Sequence, residues 1–182
     1  MRVSGVRLAS IVAVVLVVLS GCGNDPDADA DAGQADSVEP PELGACRVLT
    51  PEDVEQRSNA SPAVDCADRH TAETFAVGDL PSELHDVDYE SAELGAFAYE
   101  TCGERFETFL DADESVVMRT VVSWAWFRPS EKAWEKGARW YRCDVVGGGE
   151  QSKRFVELPP TARGPVGPIT RGAFWEVTAV PD

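Results

Sequence analysis

The chain has 182 residues, with 32 acidic and 16 basic side chains and a net charge of −16 at pH 7. A chain this acidic lacks the basic face that displaces counterions from nucleic acid, which argues against nucleic-acid binding. Anionic lipid headgroups also repel it, which argues against electrostatic adhesion to a membrane surface.

The first 21 residues have the composition of an export signal. Arg2 and Arg7 precede an apolar run over 8–19, which is too short to span a bilayer. The run ends in Leu19-Ser20-Gly21-Cys22, which resembles the lipobox of bacterial lipoproteins. The resemblance implies cleavage before Cys22 and acylation of its thiol, and two or more acyl chains give stable anchoring. An ordinary secretory signal with an incidental cysteine is the alternative.

Residues 22–42 are predicted to form an acidic, disordered tether. The segment after Cys22 carries seven acids and no base, with almost no bulky apolar side chain. It therefore cannot bury enough surface to offset the entropy of ordering. Residues 1–21 contain two arginines and no acid, so their removal changes the net charge from −16 to −18.

A folded domain is predicted over 43–147. Thr50 precedes Pro51 and two acids, which predicts a short helix through Arg57. Residues 71–77 are rich in strand formers and predict a strand. Residues 88–110 predict the main helix, because apolar side chains recur there at steps of three and four.

The second half of the domain is predicted to return as strands. Residues 116–127 are β-branched and aromatic and predict one long strand. Residues 131–136 predict about one helical turn that Gly137 ends. Residues 139–146 predict the returning strand.

Residues 148–182 form a predicted extension rich in proline and glycine, with further strands at 153–158 and 174–180. The sequence leaves open whether this extension joins the fold. The predicted fold class is α+β, a small, mostly antiparallel sheet packed on one main helix and held by two disulfides.

Four cysteines besides Cys22 predict those two disulfides, because exported domains meet an oxidising compartment. Counting alone allows three pairings of the four, which are Cys46, Cys66, Cys102 and Cys143. We favour Cys46–Cys66, which ties together the start of the domain, and Cys102–Cys143, which pins the main helix to the sheet. A metal site of Cys66 and His70 is the alternative. No second cysteine pair accompanies it, so no metal or other cofactor is expected.

Catalytic signatures are largely missing from the sequence. It contains no nucleophile elbow, no zinc-protease helix motif, no phosphate-binding glycine loop and no S-x-x-K. His70 is the main acid–base candidate, but no oriented nucleophile lies near it. A structural histidine that fixes the turn before a strand is the simpler interpretation, so no catalytic residue is assigned and no enzyme is predicted.

Four tryptophans lie within seventeen residues of each other: Trp124, Trp126, Trp134 and Trp140. Trp124 and Trp126 share one face of the predicted strand, because side chains alternate along it. We expect them to help form the core beside Phe106 and Phe109. An exposed aromatic platform for a glycan or a partner protein is the alternative, since tryptophan is enriched in binding hot spots.

Several short motifs follow one another in the order of a known family. They are Leu43-Gly44-Ala45-Cys46, Val64-Asp65-Cys66, Arg69-His70-Thr71-Ala72-Glu73, Cys102 with Phe106, Pro129-Ser130, Trp134, Gly137 and Tyr141-Arg142-Cys143. Over residues 43–147 this pattern resembles the septum formation domain of actinobacterial envelope proteins. The resemblance implies two disulfides, in agreement with the pairing favoured above, and a turn from Cys66 to His70 followed by the acid Glu73. It implies a link to division septa but no reaction or ligand.

The sequence therefore predicts a lipid-anchored, non-enzymatic binding or scaffolding module on the outer face of the cytoplasmic membrane. Its expected partners are the membrane, through the lipid on Cys22, and an envelope protein or wall component. Two alternatives stay open. One is a cell-wall hydrolase that uses His70 and Glu73, and the other is a glycan- or ligand-binding lipoprotein that uses the four tryptophans.

Overall fold

A computed structural model describes residues 35–117, 120–149 and 151–164 of the chain. The predicted export signal, Cys22, most of the tether and the predicted strand at 174–180 lie outside the described residues. Among the helices in the described ranges, none is long and apolar enough to cross a membrane.

The fold is an α+β arrangement built on one antiparallel sheet. Its elements in chain order are β1 (Cys46–Arg47), α1 (Pro51–Val54), β2 (Ala72–Asp79), a 3₁₀ turn (Ser82–Leu84), α2 (Ala92–Leu110), α3 (Glu114–Val117), β3 (Ser123–Phe127), α4 (Glu131–Glu135) and β4 (Trp140–Val146). The strand order is β1-β2-β4-β3, and every neighbouring pair is antiparallel. The predicted fold class is confirmed.

Side-chain caps determine where the two predicted helices begin. The Thr50 hydroxyl accepts the Asp53 N–H and the Asp53 carboxylate accepts the Thr50 N–H, so α1 starts at Pro51 in a complete capping box. Ser91 caps α2 through the Glu93 N–H, and α2 therefore begins at Ala92 rather than at residue 88. At the other end of α2, Asp111 adopts a left-handed conformation with φ of 49°.

The predicted strand over 116–127 is wrong in its first part. Val116 and Val117 belong to the helical turn α3, and β3 begins only at Ser123. The Asp113 carboxylate accepts the Val116 N–H at 3.1 Å, and this cap favours a helical turn over the β preference of the valines. A local side-chain hydrogen bond therefore overrides residue propensity here.

Residues 151–164, which we call the strap, join the fold without forming a strand. The Val156 N–H donates to the Gly147 carbonyl at 2.7 Å, and Phe155 and Leu158 are buried. The strand predicted over 153–158 is wrong. Pro159 and Pro160 follow directly, and because they lack N–H groups a regular ladder cannot continue through them.

The fold also takes in residues that precede Leu43. The Ser130 N–H donates to the Ala35 carbonyl at 2.8 Å, and the Trp140 indole N–H donates to the Ser37 carbonyl at 3.1 Å. The Asp36 carboxylate accepts the Ser130 hydroxyl and lies within an ion-pair distance of Lys132. Residues 35–37, which lie in the predicted tether, thus contact the domain around α4.

The sheet has a helix-covered face and an opposite face. The buried residues of α2 recur at the predicted steps and are Leu94, Ala98, Cys102, Phe106, Phe109 and Leu110. They pack on Phe75, Tyr141 and Val145 of the sheet. On the opposite face a second cluster contains Leu49, Ala72, Phe127, Val146 and Phe155.

Both predicted disulfides are present. Cys46 is bonded to Cys66 across 20 positions of sequence, and Cys102 is bonded to Cys143 across 41. The second bridge ties α2 to β4 inside the main core, where both cysteines are fully buried. In a chain-entropy treatment a loop of that length stabilises the fold by about 4 kcal/mol.

Candidate functional site

His70, the main acid–base candidate, lies inside the protein in the turn that leads into β2. Its side chain is 1% exposed, and its Nδ1 is 2.8 Å from the Asp68 carbonyl oxygen. Its Nε2 is buried without a hydrogen-bond partner among the described residues. The backbone carbonyl of His70 accepts the Leu158 N–H of the strap at 2.8 Å. The ring is thus almost wholly screened from solvent and contacts the backbone of its own turn.

Glu73 lies on β2 opposite Cys46, and its carboxylate is occupied by the strap. One oxygen accepts the Ala162 N–H at 2.6 Å, and the other is 3.3 Å from the Thr161 hydroxyl. The residue is buried, so these contacts replace water at the carboxylate. His70 and Glu73 are close in the sequence. Both contact the strap, His70 through its backbone carbonyl and Glu73 through its carboxylate.

The sulfur of Cys66 is committed to the bridge with Cys46, so it is not a free thiolate for a metal. Across the described ranges, no group of three or more His, Cys, Asp or Glu side chains is arranged to hold a metal ion.

The four tryptophans do not form one cluster. Trp134 is buried in the core beside Tyr89, with the two ring centroids 5.7 Å apart. Trp140 is buried in a small group with Ala133 and Ala138. Trp124 and Trp126 are half-buried and pack against the main core on the α2 side of the sheet. Trp124 and Trp126 line two surface clefts.

One cleft lies between α2 and β3. Its volume is about 400 Å³, and it is lined by Gly95, Tyr99, Ser123, Trp124 and Trp126. Tyr99 is 75% exposed, although it is aromatic, and its ring centroid is 6.0 Å from that of Trp124. A Cβ atom added at Gly95 would meet nothing within 4 Å, so the cleft is open above the helix. We call it the aromatic cleft.

A second cleft, which we call the edge cleft, lies on the other side of β3. Its volume is about 440 Å³, and its walls include Val54, Gln56, Ala125, Phe155 and Arg128. Arg128 is packed between the rings of Tyr89 and Trp126, 4.8 and 5.0 Å from their centroids. Burial lowers the pKa of Arg128 and raises the pKa of Tyr89. The guanidinium also donates to the Tyr89 carbonyl, which holds it in place.

A buried polar network on the face away from α2 was not predicted. The Arg47 guanidinium donates to the Thr74 hydroxyl at 2.7 Å, and that hydroxyl donates to Asp144 Oδ1 at 2.7 Å. Arg142 Nε lies 3.0 Å from Asp144 Oδ2, at ion-pair distance but without hydrogen-bond alignment. The Arg142 guanidinium also donates to Asn59 Oδ1 at 3.2 Å.

This network places two guanidinium groups around one carboxylate in the protein interior. Arg142 and Asp144 are 0% exposed and Arg47 is 1% exposed. Burial, and after it the charge of Arg142, lowers the pKa of Arg47 to about 10, while Asp144 acts in the opposite direction. A sequence signal did exist, because Arg142 and Asp144 alternate in an apolar strand and must share a face.

Comparison with known proteins gives one family. The model of the family described as "Septum formation" matches residues 16–128. No curated protein and no solved structure matches the chain. The family description connects the chain to septum- and cell-wall-related function. Since the match covers more than half of the 182 residues, this chain belongs to the septum formation family.

Proposed function

We propose that this chain is a lipid-anchored, non-catalytic binding module on the outer face of the cytoplasmic membrane. It binds an envelope protein or a wall component during septum formation or cell-wall growth. Support comes from the family membership and from the predicted export signal over residues 1–21, which Cys22 follows. The chain's acidity supports anchoring through the lipid, since an anionic membrane surface repels a protein of net charge −16.

The position of Glu73 is the observation that carries the binding role. A hydrolase needs a carboxylate or histidine that reaches substrate, and the sequence offered His70 and Glu73 for that task. Glu73 is engaged by Ala162 and Thr161 of the chain itself, and His70 is buried. The burial and contacts of these two side chains therefore favour a structural role for both. The surface near β3 instead offers two clefts, which suit binding.

Localisation tests the septal and anchoring parts together. A fusion of the full chain to a fluorescent protein that folds outside the cytoplasm is expected to concentrate at division septa and to remain in the membrane fraction. Cys22→Ser removes the thiol that would be acylated and should release the fusion from that fraction, whereas the neighbouring Ser20→Ala should not. Uniform fluorescence together with normal septation on deletion contradicts the septal role.

The non-catalytic part is tested with Glu73→Gln, which keeps one acceptor oxygen for the strap but cannot serve as a general base. We expect it to restore septation to a deletion strain when its circular dichroism matches the parent. Thr161→Val removes the hydroxyl contact to Glu73, together with the acceptor of the Arg163 N–H, and serves as the matched control. Loss of function in a folded Glu73→Gln with a functional Thr161→Val would favour the hydrolase instead.

A second candidate function is saccharide binding in the aromatic cleft, which the exposed ring of Tyr99 beside Trp124 favours. Soluble wall fragments are then expected to quench the intrinsic tryptophan fluorescence. Trp124→Phe should remove most of that change. Buried Trp134 is outside the cleft, so a Trp134→Phe variant that folds should retain it. Equal quenching in both variants would contradict binding at this cleft.

A further inference from the structure

Among the described residues β3 is an edge strand, with β4 as its one strand neighbour. The N–H of Arg128, the residue directly after β3, donates to the Arg57 carbonyl at 3.0 Å, on the side away from β4. Because backbone direction alternates along a strand, the N–H and C=O groups of Trp124 and Trp126 face the same way. None of these four groups has a hydrogen-bond partner within the described residues.

The free edge lacks the usual protection against pairing. The strand sequence Ser-Trp-Ala-Trp-Phe contains no charge and no proline, the two devices that natural edge strands most often use. The aromatic cleft lies on one side of the edge and the edge cleft on the other, and Ser123, Trp124 and Trp126 line both. An added strand would direct its side chains alternately into the two clefts.

We propose that residues 174–180 of this chain pair with the free edge of β3 as a fifth strand. Their sequence is Phe174-Trp175-Glu176-Val177-Thr178-Ala179-Val180, in which aromatic and β-branched residues dominate and proline is absent. Trp175, Val177 and Ala179 alternate with Glu176 and Thr178. One face of the added strand is therefore wholly apolar, which suits the aromatic cleft with its Tyr99 and Trp124 rings.

The connecting chain is long enough. The strap ends at Gly164, whose N–H donates to the Phe109 carbonyl near the end of α2. Phe109 is ten residues, or about 15 Å of helix, from Tyr99, which contacts Trp124 of β3. The nine residues over 165–173 span up to about 30 Å when extended, which covers this distance.

Attachment to the same chain favours this occupant over a second copy. A tethered segment meets the edge at an effective concentration in the millimolar range, whereas two separate copies must first approach each other. Each copy carries a net charge of −16, so their mutual repulsion opposes edge-to-edge pairing. The inference goes beyond the proposed function. It competes with the second candidate function, because the added strand would direct side chains into the aromatic cleft that a saccharide would otherwise occupy.

Residue-resolved amide exchange of the full chain tests the proposal. Pairing would protect outward amides of β3, so we expect those of Trp124 and Trp126 to exchange roughly tenfold or more slowly in the parent than in Val177→Pro/Thr178→Pro. Two adjacent prolines block the ladder whichever residue faces β3. Ile169→Pro/Thr170→Pro, in the connecting chain, is the matched control and should retain the protection. The inward amides of Cys143 and Val145 on β4 report that each variant is folded.

Three outcomes would overturn the proposal. Equal exchange rates in the parent and in Val177→Pro/Thr178→Pro would show that the segment does not cover the edge. Protection that both proline pairs remove equally would show that pairing is not specific to 174–180. Protection that grows with protein concentration, together with a dimer in sedimentation, would assign the edge to a second copy.

Discussion

At the scale of single residues, the buried network around Asp144 matters most for stability. Arg47 and Arg142 both depend on this one carboxylate, directly or through Thr74, and all three charges lie away from water. Breaking a buried ion pair by removing one partner costs more than the pair contributes, because the remaining charge stays desolvated.

Asp144→Asn is therefore expected to lower the free energy of unfolding by about 3–5 kcal/mol, since it leaves two guanidinium groups without a counter-charge. Urea denaturation measures the change. Glu157→Gln is the control, because Glu157 and Arg69 form an exposed ion pair worth at most about 1 kcal/mol. A loss below about 1 kcal/mol in Asp144→Asn would show that the network is not strongly coupled.

Asp36 gives a pH-dependent contact. Its hydrogen bonds with Lys132 and then Ser130 lower its pKa below the ordinary value of 3.8. The contact therefore contributes fully above pH 3.8 and is lost as the pH falls through the lower folded-state pKa. The Trp140 indole N–H, which donates to Ser37, should shift in NMR spectra with a midpoint below 3.8. Asp36→Asn should abolish this transition and Glu39→Gln should keep it; persistence in Asp36→Asn would assign it to another group.

At the scale of elements, the strap depends on close approach to the end of β4. A Cβ atom added at Gly147 would lie 2.1 Å from the Val156 carbonyl oxygen, so Gly147→Ala must push the strap away. We expect a loss of about 1–3 kcal/mol and faster proteolysis within 151–164. Gly149→Ala is the matched control, because its Cβ would meet nothing within 4 Å. Equal cleavage rates in the two variants would contradict this view of the strap.

Local patterns predicted some elements and failed for others for identifiable reasons. The steps of α2 and the Thr50 cap of α1 are local, and both appear in the structure as predicted, although α1 ends at Val54 and not at Arg57. The valines at 116 and 117 favoured a strand, but the Asp113 cap gave a helical turn. Residues 153–158 of the strap were predicted as a strand from their composition. In the structure the strap instead follows its hydrogen bonds to Gly147, His70 and Glu73.

At the scale of the whole molecule, the excess of acidic side chains acts on the folded state. With 32 acids and 16 bases, like charges repel one another more strongly in the compact form than in the unfolded chain. Raising NaCl from 20 to 200 mM should therefore stabilise the protein, by at most about 1 kcal/mol in urea denaturation. Sucrose at equal osmolality is the uncharged control. A lower urea midpoint at 200 mM NaCl would show that attractive ion pairs outweigh the repulsion between acidic side chains.

The sequence by itself determined the main helix, the number of disulfides and the family, because periodicity, cysteine number and ordered motifs are all legible along the chain. Only the tertiary structure decided which cysteines pair and where the side chains of His70, Glu73 and the tryptophans lie. Glu73 meets Ala162 across 89 positions and Thr74 meets Asp144 across 70, and no local pattern encodes such contacts. The same holds for the position of β3 at the edge of the sheet in the described part of the chain, since strand order follows from how the sheet closes around its core.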